Sequence, residues 1–241
     1  MDAALRPWVE CLWTRSGEGR RDGFELIVPD GCMDLIWSER AGVTAVGPNT
    51  TAFVSPLAPG AEVVGVRLHP GAAPPLFGVP APALLDGRAP AAQLWGDAGA
   101  RLEHEVAAAH DSEERARLLV AFLSTRARAA GAPDALVRAA AERLERAPVT
   151  AVASELAVSE RHLRRLVSAE VGYGPKRLGR VLRLRRALAR LRAGAELAEV
   201  AYQGGYADQA HFTNDCRALA GVAPGRFLQD RVRPRPRASR A

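Results

Sequence analysis

The sequence predicts an α+β chain: a small antiparallel β-barrel or sandwich accompanied by helices, then an all-α part in which two similar helical units flank a long helix. Three observations predict it. Short β-branched runs closed by Gly or Pro give way near residue 90 to helical periodicity. The helical part repeats itself at a separation of about 48 residues, and the two halves differ in charge. The 241 residues are 48% hydrophobic and 25% charged, a globular composition with length enough for two domains.

Residues 1–85 read as strands and turns. In "GFELIVPDGCMDLIWSE" two apolar runs flank Pro29-Asp30-Gly31, a strong turn signal that makes Asp30 a turn-former rather than half of a catalytic pair with Asp34. "AGVTAVGPNTTAFVSPL" and "AEVVGVRLHPG" add further short runs. From about residue 97, "DAGARLEHEVAAAH" and "SEERARLLVAFLSTRARAAG" read as helices. Their stripe of Leu118, Leu119, Phe122 and Leu123 suits either a dimer seam or packing within the chain. Gly131-Ala132-Pro133 then breaks the pattern. Expected boundaries are therefore 1–130 for a β-rich front domain, 134–230 for a helical domain and 231–241 for a disordered basic tail.

Charge says what each half can meet. Residues 1–147 carry 15 Arg against 19 Asp and Glu, a net of −4; residues 148–241 carry 17 Arg and one Lys against 8 acids, a net of +10. Only the second half suits a polyanion. The three cysteines, Cys11, Cys32 and Cys216, are too few and too scattered for a disulfide framework or a four-cysteine zinc site. No apolar run approaches the roughly 20 residues of a membrane helix, and no basic flank precedes an apolar leader. A cytoplasmic location and no membrane partner are expected.

The repeat identifies the helical unit. "VASELAVSERHL" and "VAYQGGYADQAHF" align Ala153 with Ala201 at an offset of 48, and His162 with His211, Gly172 with Gly221 and Pro175 with Pro224 at 49. One residue is thus inserted near the start of the later helix. In the first copy Thr150 is expected to cap a short helix, and Ser159 to cap a second that buries Leu163, Leu166, Val167 and Val171. Two short helices joined by so tight a turn form a helix-turn-helix, whose second helix enters a DNA major groove. The outer face of that helix carries Arg161, Arg164 and Arg165, able to read guanine in bidentate fashion.

Between the copies, "PKRLGRVLRLRRALARLRAG" should form a helix from Pro175 to a stop at Gly194, roughly 28 Å long. Such a strut suits two reading helices spaced about one DNA turn, roughly 34 Å. Lys176, Arg177 and Arg180 adjoin the first unit and are the expected phosphate contacts. In the second unit Phe212, Cys216 and Leu219 line the buried face. Gln209, Thr213 and Asn214 are left to reach bases or phosphates. Pro224 begins a closing helix packed by Phe227 and Leu228.

"LAVSERHLRRLVSAEVGYGPKRL" and "LAEVAYQGGYADQAHFTNDCRALAGVAPGRF" resemble the DNA-binding domain of the AraC/XylS transcription regulators. The resemblance implies a seven-helix domain over residues 134–230. It puts base contacts on Arg161, Arg164 and Arg165 and on Gln209, Thr213 and Asn214. The chain departs from that pattern at Ala207, where a capping serine is usual, so that the cap passes to Asp208. It departs also at Cys216, at Asn214 and at Asp215, whose negative charge is expected to weaken the second unit. Trp13, "PDGCMDLI", Gly47-Pro48 and "GVRLHPGAA" resemble β-rich sensory or dimerisation modules found before such domains.

The expectation is a sequence-specific DNA-binding transcription regulator, occupying two successive major grooves and tuned by its front domain. Double-stranded DNA is its partner; RNA polymerase, a small-molecule effector and a second copy of the chain are left open. No catalysis, cofactor or metal is expected. Effector contacts would fall on Trp13, Cys32, Trp37 and His69, with core packing the simpler role for the two tryptophans. The competing class is a ligand-binding β-barrel protein whose basic half touches nucleic acid non-specifically. A metal-dependent barrel enzyme lacks a His-x-His start, and a Cys11, Cys32 and His69 sensor is less economical than buried thiols and a loop histidine.

Overall fold

A computed structural model describes residues 5–17 and 24–229. The front domain is a lopsided sandwich. Its larger sheet has the antiparallel order β1 (Val9–Ser16), β6 (Glu62–Leu68), β3 (Met33–Ser38), β4 (Gly42–Val46), β7 (Arg88–Pro90). The smaller pairs β2 (Phe24–Ile27) with β5 (Phe53–Pro56). Alternation decides what each face does. Met33, Leu35, Trp37, Val64, Val66 and Leu68 face a core that also takes in Leu119 and Leu123. The other face presents Trp13, Asp34, Ile36, Ser38 and Arg67 toward the small sheet. Trp13 pairs with Gly65, where an added Cβ would sit 2.3 Å from the indole, so the strand crosses beneath the ring only because position 65 has no side chain.

Helices begin earlier than the expected residue 97. α1 (Ala73–Phe77), a 3-10 turn (Ala81–Leu84) and α2 (Ala91–Trp95) precede α3 (Asp97–Ala108) and α4 (Ser112–Ala130). These early pieces are too short to show a helical period, and the paired prolines that open α1 read as turn signals until Leu76 and Phe77 are seen buried behind them. The stripe on α4 is intradomain: Leu119 and Leu123 are fully buried, with Leu118 and Phe122 packed against the same core.

The helical domain comprises α5 (Ala135–Leu144), α6 (Val149–Glu155), α7 (Glu160–Val171), α8 (Pro175–Arg192), α9 (Leu197–Gln203), α10 (Gln209–Ala220) and α11 (Pro224–Gln229). Asp134 caps α5 through Leu136 and Val137 N–H. Thr150 does not cap α6: Pro148 occupies that position, and Thr150 lies within the first turn. A second core gathers Leu144, Leu163, Val167, Leu178, Leu184, Phe212 and Leu219 around α8. Phe227 closes it, whereas the side chain of Leu228 and the basic tail at 231–241 lie outside the described residues.

The two domains are packed together. Leu26 and Val28 rest on the helical core, and the turn at Gly31 lies against Leu178 and Leu182 of α8. Arg185 of α8 donates to both carboxylate oxygens of Glu10 at 3.2 Å.

Candidate nucleic-acid interface

The repeat in sequence is a repeat in hydrogen bonds. α6 ends with Val158 N–H on Ala153 C=O (3.0 Å) and Ala157 N–H on Ser154 C=O (3.1 Å). α9 ends with Tyr206 N–H on Ala201 C=O (3.1 Å) and Gly205 N–H on Tyr202 C=O (3.1 Å). Both are the paired bonds of a Schellman turn, with Ala157 (φ 53°) and Gly205 (φ 72°) in the left-handed position. After that turn Ala207 is the extra residue of the second copy, and the caps come back into register. Ser159 Oγ accepts from His162 N–H at 3.1 Å, Asp208 Oδ1 from His211 N–H at 2.7 Å. The cap does pass to Asp208. α7 and α10 then each run 12 residues and stop at Gly172 and Gly221.

Each of these helices buries one face. Leu163, Val167 and Val171 go inward from α7; Phe212, Cys216 and Leu219 go inward from α10. Arg161, Arg164 and Arg165 are exposed on α7, and Gln209 and Asn214 on α10, with Thr213 half-buried beside them. The residues picked out for base contact thus share the first turns of the two helices, the end that enters a groove in this motif. Arg165 also donates to His162 Nδ1 at 3.3 Å, which holds its guanidinium near the helix start.

Lys176 and Arg177 are exposed at the start of α8. Arg180 is only part-exposed and is engaged inside the protein: its Nε and Nη2 reach Asp215 Oδ1 at 2.9 and 2.5 Å. The same arrangement corrects the expectation for Asp215. Its carboxylate is buried, matched by Arg180 and approached by the Tyr206 hydroxyl at 3.4 Å, so its charge is spent inside the protein and not on the reading face. Arg183 lies over the Tyr206 ring at 5.5 Å. No spacing rule links residues 180, 206 and 215, and only the fold brings them together. His162 and His211 share a position because each supplies the third N–H of its helix to the cap.

A cavity of about 850 Å³ lies in the front domain, lined by residues of both sheets. Trp13 and Cys32 line it, but Trp37 and His69 do not. Trp37 points to the opposite face of β3, into the core beneath the guanidinium of Arg115 at 4.1 Å. His69 sits in the turn after β6, its N–H on Trp8 C=O at 2.9 Å and its imidazole pKa lowered by burial. What the cavity does contain is a charged centre. Arg67 meets Asp30 at 2.8 Å and Asp34 at 3.1 Å, and Trp13 Nε1 donates to Asp34 at 2.8 Å. Burial alone would lower the Arg67 pKa, but the two carboxylates more than reverse that. Asp30 is the turn-former expected of it, accepting from Cys32 N–H at 3.0 Å, and an ion-pair partner as well. The Cys32 thiol donates to Glu10 at 3.0 Å; burial, then Asp30 and Glu10, push its pKa well up. Arg185, Leu188 and Arg192 of α8 line a smaller recess beside Trp13, Arg15 and Arg67, so the linker helix borders the charged centre. Among the described residues, no cluster of metal-ligating side chains is present and no helix is long and apolar enough to cross a membrane.

Residues 152–230 match a family described as a helix-turn-helix domain, and residues 2–90 match a domain of unknown function, DUF6597. No curated protein matches the chain. Among solved structures, similarity is found to the C-terminal domain of AraT, a response regulator from Geobacillus stearothermophilus. That match has 24% identity and a TM-score of 0.39, and covers 42% of this chain and 89% of that one. ToxT from Vibrio cholerae matches at 13% identity and a TM-score of 0.45, over 91% of this chain and 96% of its own. ToxT with a bound unsaturated fatty acid matches at 14% and 0.41, over 90% of each chain.

Proposed function

We propose that this chain, whose residues 152–230 are an AraC-type helix-turn-helix domain, is a sequence-specific transcription regulator that places α7 and α10 in successive major grooves of one duplex. One observation carries the reading. Two helices with equivalent caps and stops keep polar side chains exposed at their starts, over fully buried apolar faces and in the basic half of the chain. Arg161, Arg164 and Arg165 would read bases in the first groove, Gln209, Thr213 and Asn214 in the second, while Lys176 and Arg177 hold phosphates.

The front domain modulates this by binding a small molecule in the intersheet cavity. A space of about 850 Å³ is of ligand size, and it mixes apolar walls with a few fixed charges. Selection of bound fragments from random DNA by the purified chain tests the function. A two-part consensus is expected, and Arg165→Ala should flatten the preference at one position of it, by about 1–3 kcal/mol of discrimination. Retention of fragments without a consensus, with affinity set by salt alone, would instead favour the non-specific binder.

A further inference from the structure

Residues 47–52, "GPNTTA", join β4 to β5 and belong to the front domain, yet they touch both reading helices. At one side Pro48 packs on Gly172, the stop of α7: a Cβ added there would lie 2.8 Å from the proline ring. At the other side Ala52 N–H donates to Leu219 C=O, in the last turn of α10, at 2.8 Å. That carbonyl is one of the four a helix end cannot satisfy internally. Both contacts fall at the C-terminal ends of α7 and α10 and leave the base-reading starts clear.

The loop is braced rather than slack. Gly47 N–H donates to Gly87 C=O and Asp86 N–H to Pro48 C=O, each at 3.0 Å. Asp86 then holds Thr50 twice, accepting from its N–H at Oδ1 and from its hydroxyl at Oδ2, both at 2.6 Å. Asp86 itself stands at φ 54°, a left-handed conformation that costs a side-chain-bearing residue energy and persists because its surroundings impose it.

We propose that the loop 47–52, locked by the Asp86–Thr50 pair, sets the distance and angle between the two reading helices, so that Thr50 and Asp86 are positioning residues for operator spacing. α8 joins the two units through the chain, and the loop makes a second tie between the C-terminal ends of α7 and α10. Val46, Asn49 and Phe53 also line the intersheet cavity, so an occupant there would press on this same loop. The inference rests on the two-groove reading above.

The test measures affinity of the full chain for its selected operator and for versions with one base pair added or removed between the two recognised parts. Each base pair shifts the parts by roughly 3.4 Å and 35°. The wild-type chain should lose affinity steeply, about tenfold or more, on either change. Thr50→Val and Asp86→Ala remove one and both of the Asp86 bonds, and should shrink that penalty severalfold and about tenfold respectively. The base preference within each part should stay as it was. Asp86→Asn, which tolerates the left-handed backbone and still accepts from Thr50 N–H, should restore most of the penalty.

Variants that fold as the wild type does and keep its spacing penalty overturn the inference. So does a uniform loss of affinity on every spacing, which is the mark of simple destabilisation. A wild-type chain that selects no two-part site overturns the two-groove reading and this inference with it; a selected site with unchanged spacing penalties overturns the inference alone.

Discussion

The two helix-turn-helix units share a backbone and differ in how their charges are spent. In the first, three arginines stand on the exposed face of α7, and apolar residues alone go inward from that helix. In the second, the exposed residues near the start of the helix, Gln209 and Asn214, are neutral and polar, the exposed Arg217 stands in its last turn, and Asp215 turns inward, where it ties α10 to Arg180 of α8 and meets Tyr206. The shared turn and cap thus fix where the second helix of each unit points, and on the proposed function leave what it reads to a few outward positions. On the proposed function, the first unit attracts and discriminates. The second is built to be held firmly against the linker helix.

Phe212→Ala should give the largest effect that separates them. The ring is fully buried and packs on Tyr206 at 5.0 Å, so its removal should cost about 3–5 kcal/mol by urea denaturation. Leu163→Ala, at a fully buried position of the first unit, should cost about 2–5 kcal/mol. A much larger penalty in the first unit would mean that the second contributes little to cooperative stability.

Arg180→Ala comes next. It strands a buried carboxylate, a cost of about 2–3 kcal/mol once the part-exposed guanidinium is discounted for solvent. The double change Arg180→Ala with Asp215→Ala should recover most of that, because no unpaired charge is left inside. If Arg180→Ala instead leaves stability intact and weakens DNA binding with a reduced salt slope, Arg180 is a phosphate contact after all.

On DNA the order of the units reverses. Arg165→Ala should remove about 1–3 kcal/mol of discrimination at one position. Asn214→Ala should remove less, since Asn214 is exposed and, unlike a guanidinium, brings no charge to its base contact. Equal losses in a fragment-selection comparison would break the contrast between a charged reader and a neutral one.

Much of this architecture was legible because it is written in local chemistry. Ser159, Asp208, Gly172 and Gly221 mark helix ends by what their side chains or backbones do within four residues, and the apolar stripe between them repeats with the helical period. The first helix of the first unit was displaced at its start, since Pro148 and not Thr150 sets the cap. Interactions across the chain were not legible. Nothing in the sequence marks Asp215 as buried, pairs Arg67 with Asp30 and Asp34, or brings Ala52 to Leu219, because each depends on how separate elements pack. Trp37 takes the core-packing role and not the cavity wall for a related reason: neighbouring positions of β3 point to opposite faces, and residues 34 and 36 hold the cavity side. Trp13 and Trp37 look equivalent in the sequence, and the pleat separates them.

The smallest difference between the units can be measured in both directions. Ala157 and Gly205 occupy the same left-handed position of the same turn, at φ 53° and 72°. A Cβ there crowds the following carbonyl, at a cost of roughly 1 kcal/mol, whereas glycine has none to crowd. A Cβ added at Gly205 would meet nothing within 4 Å, so the exchange isolates the backbone cost from any clash. Ala157→Gly should therefore stabilise the chain by somewhat under 1 kcal/mol, because glycine also gives the unfolded chain more freedom to lose. Gly205→Ala should destabilise it by a similar amount, and the two changes together should nearly cancel. Both are read as a shift in urea midpoint at unchanged slope. If Ala157→Gly destabilises instead, the first turn relies on the alanine methyl for a contact its mate does not have, and the two units are less alike than their hydrogen bonds make them.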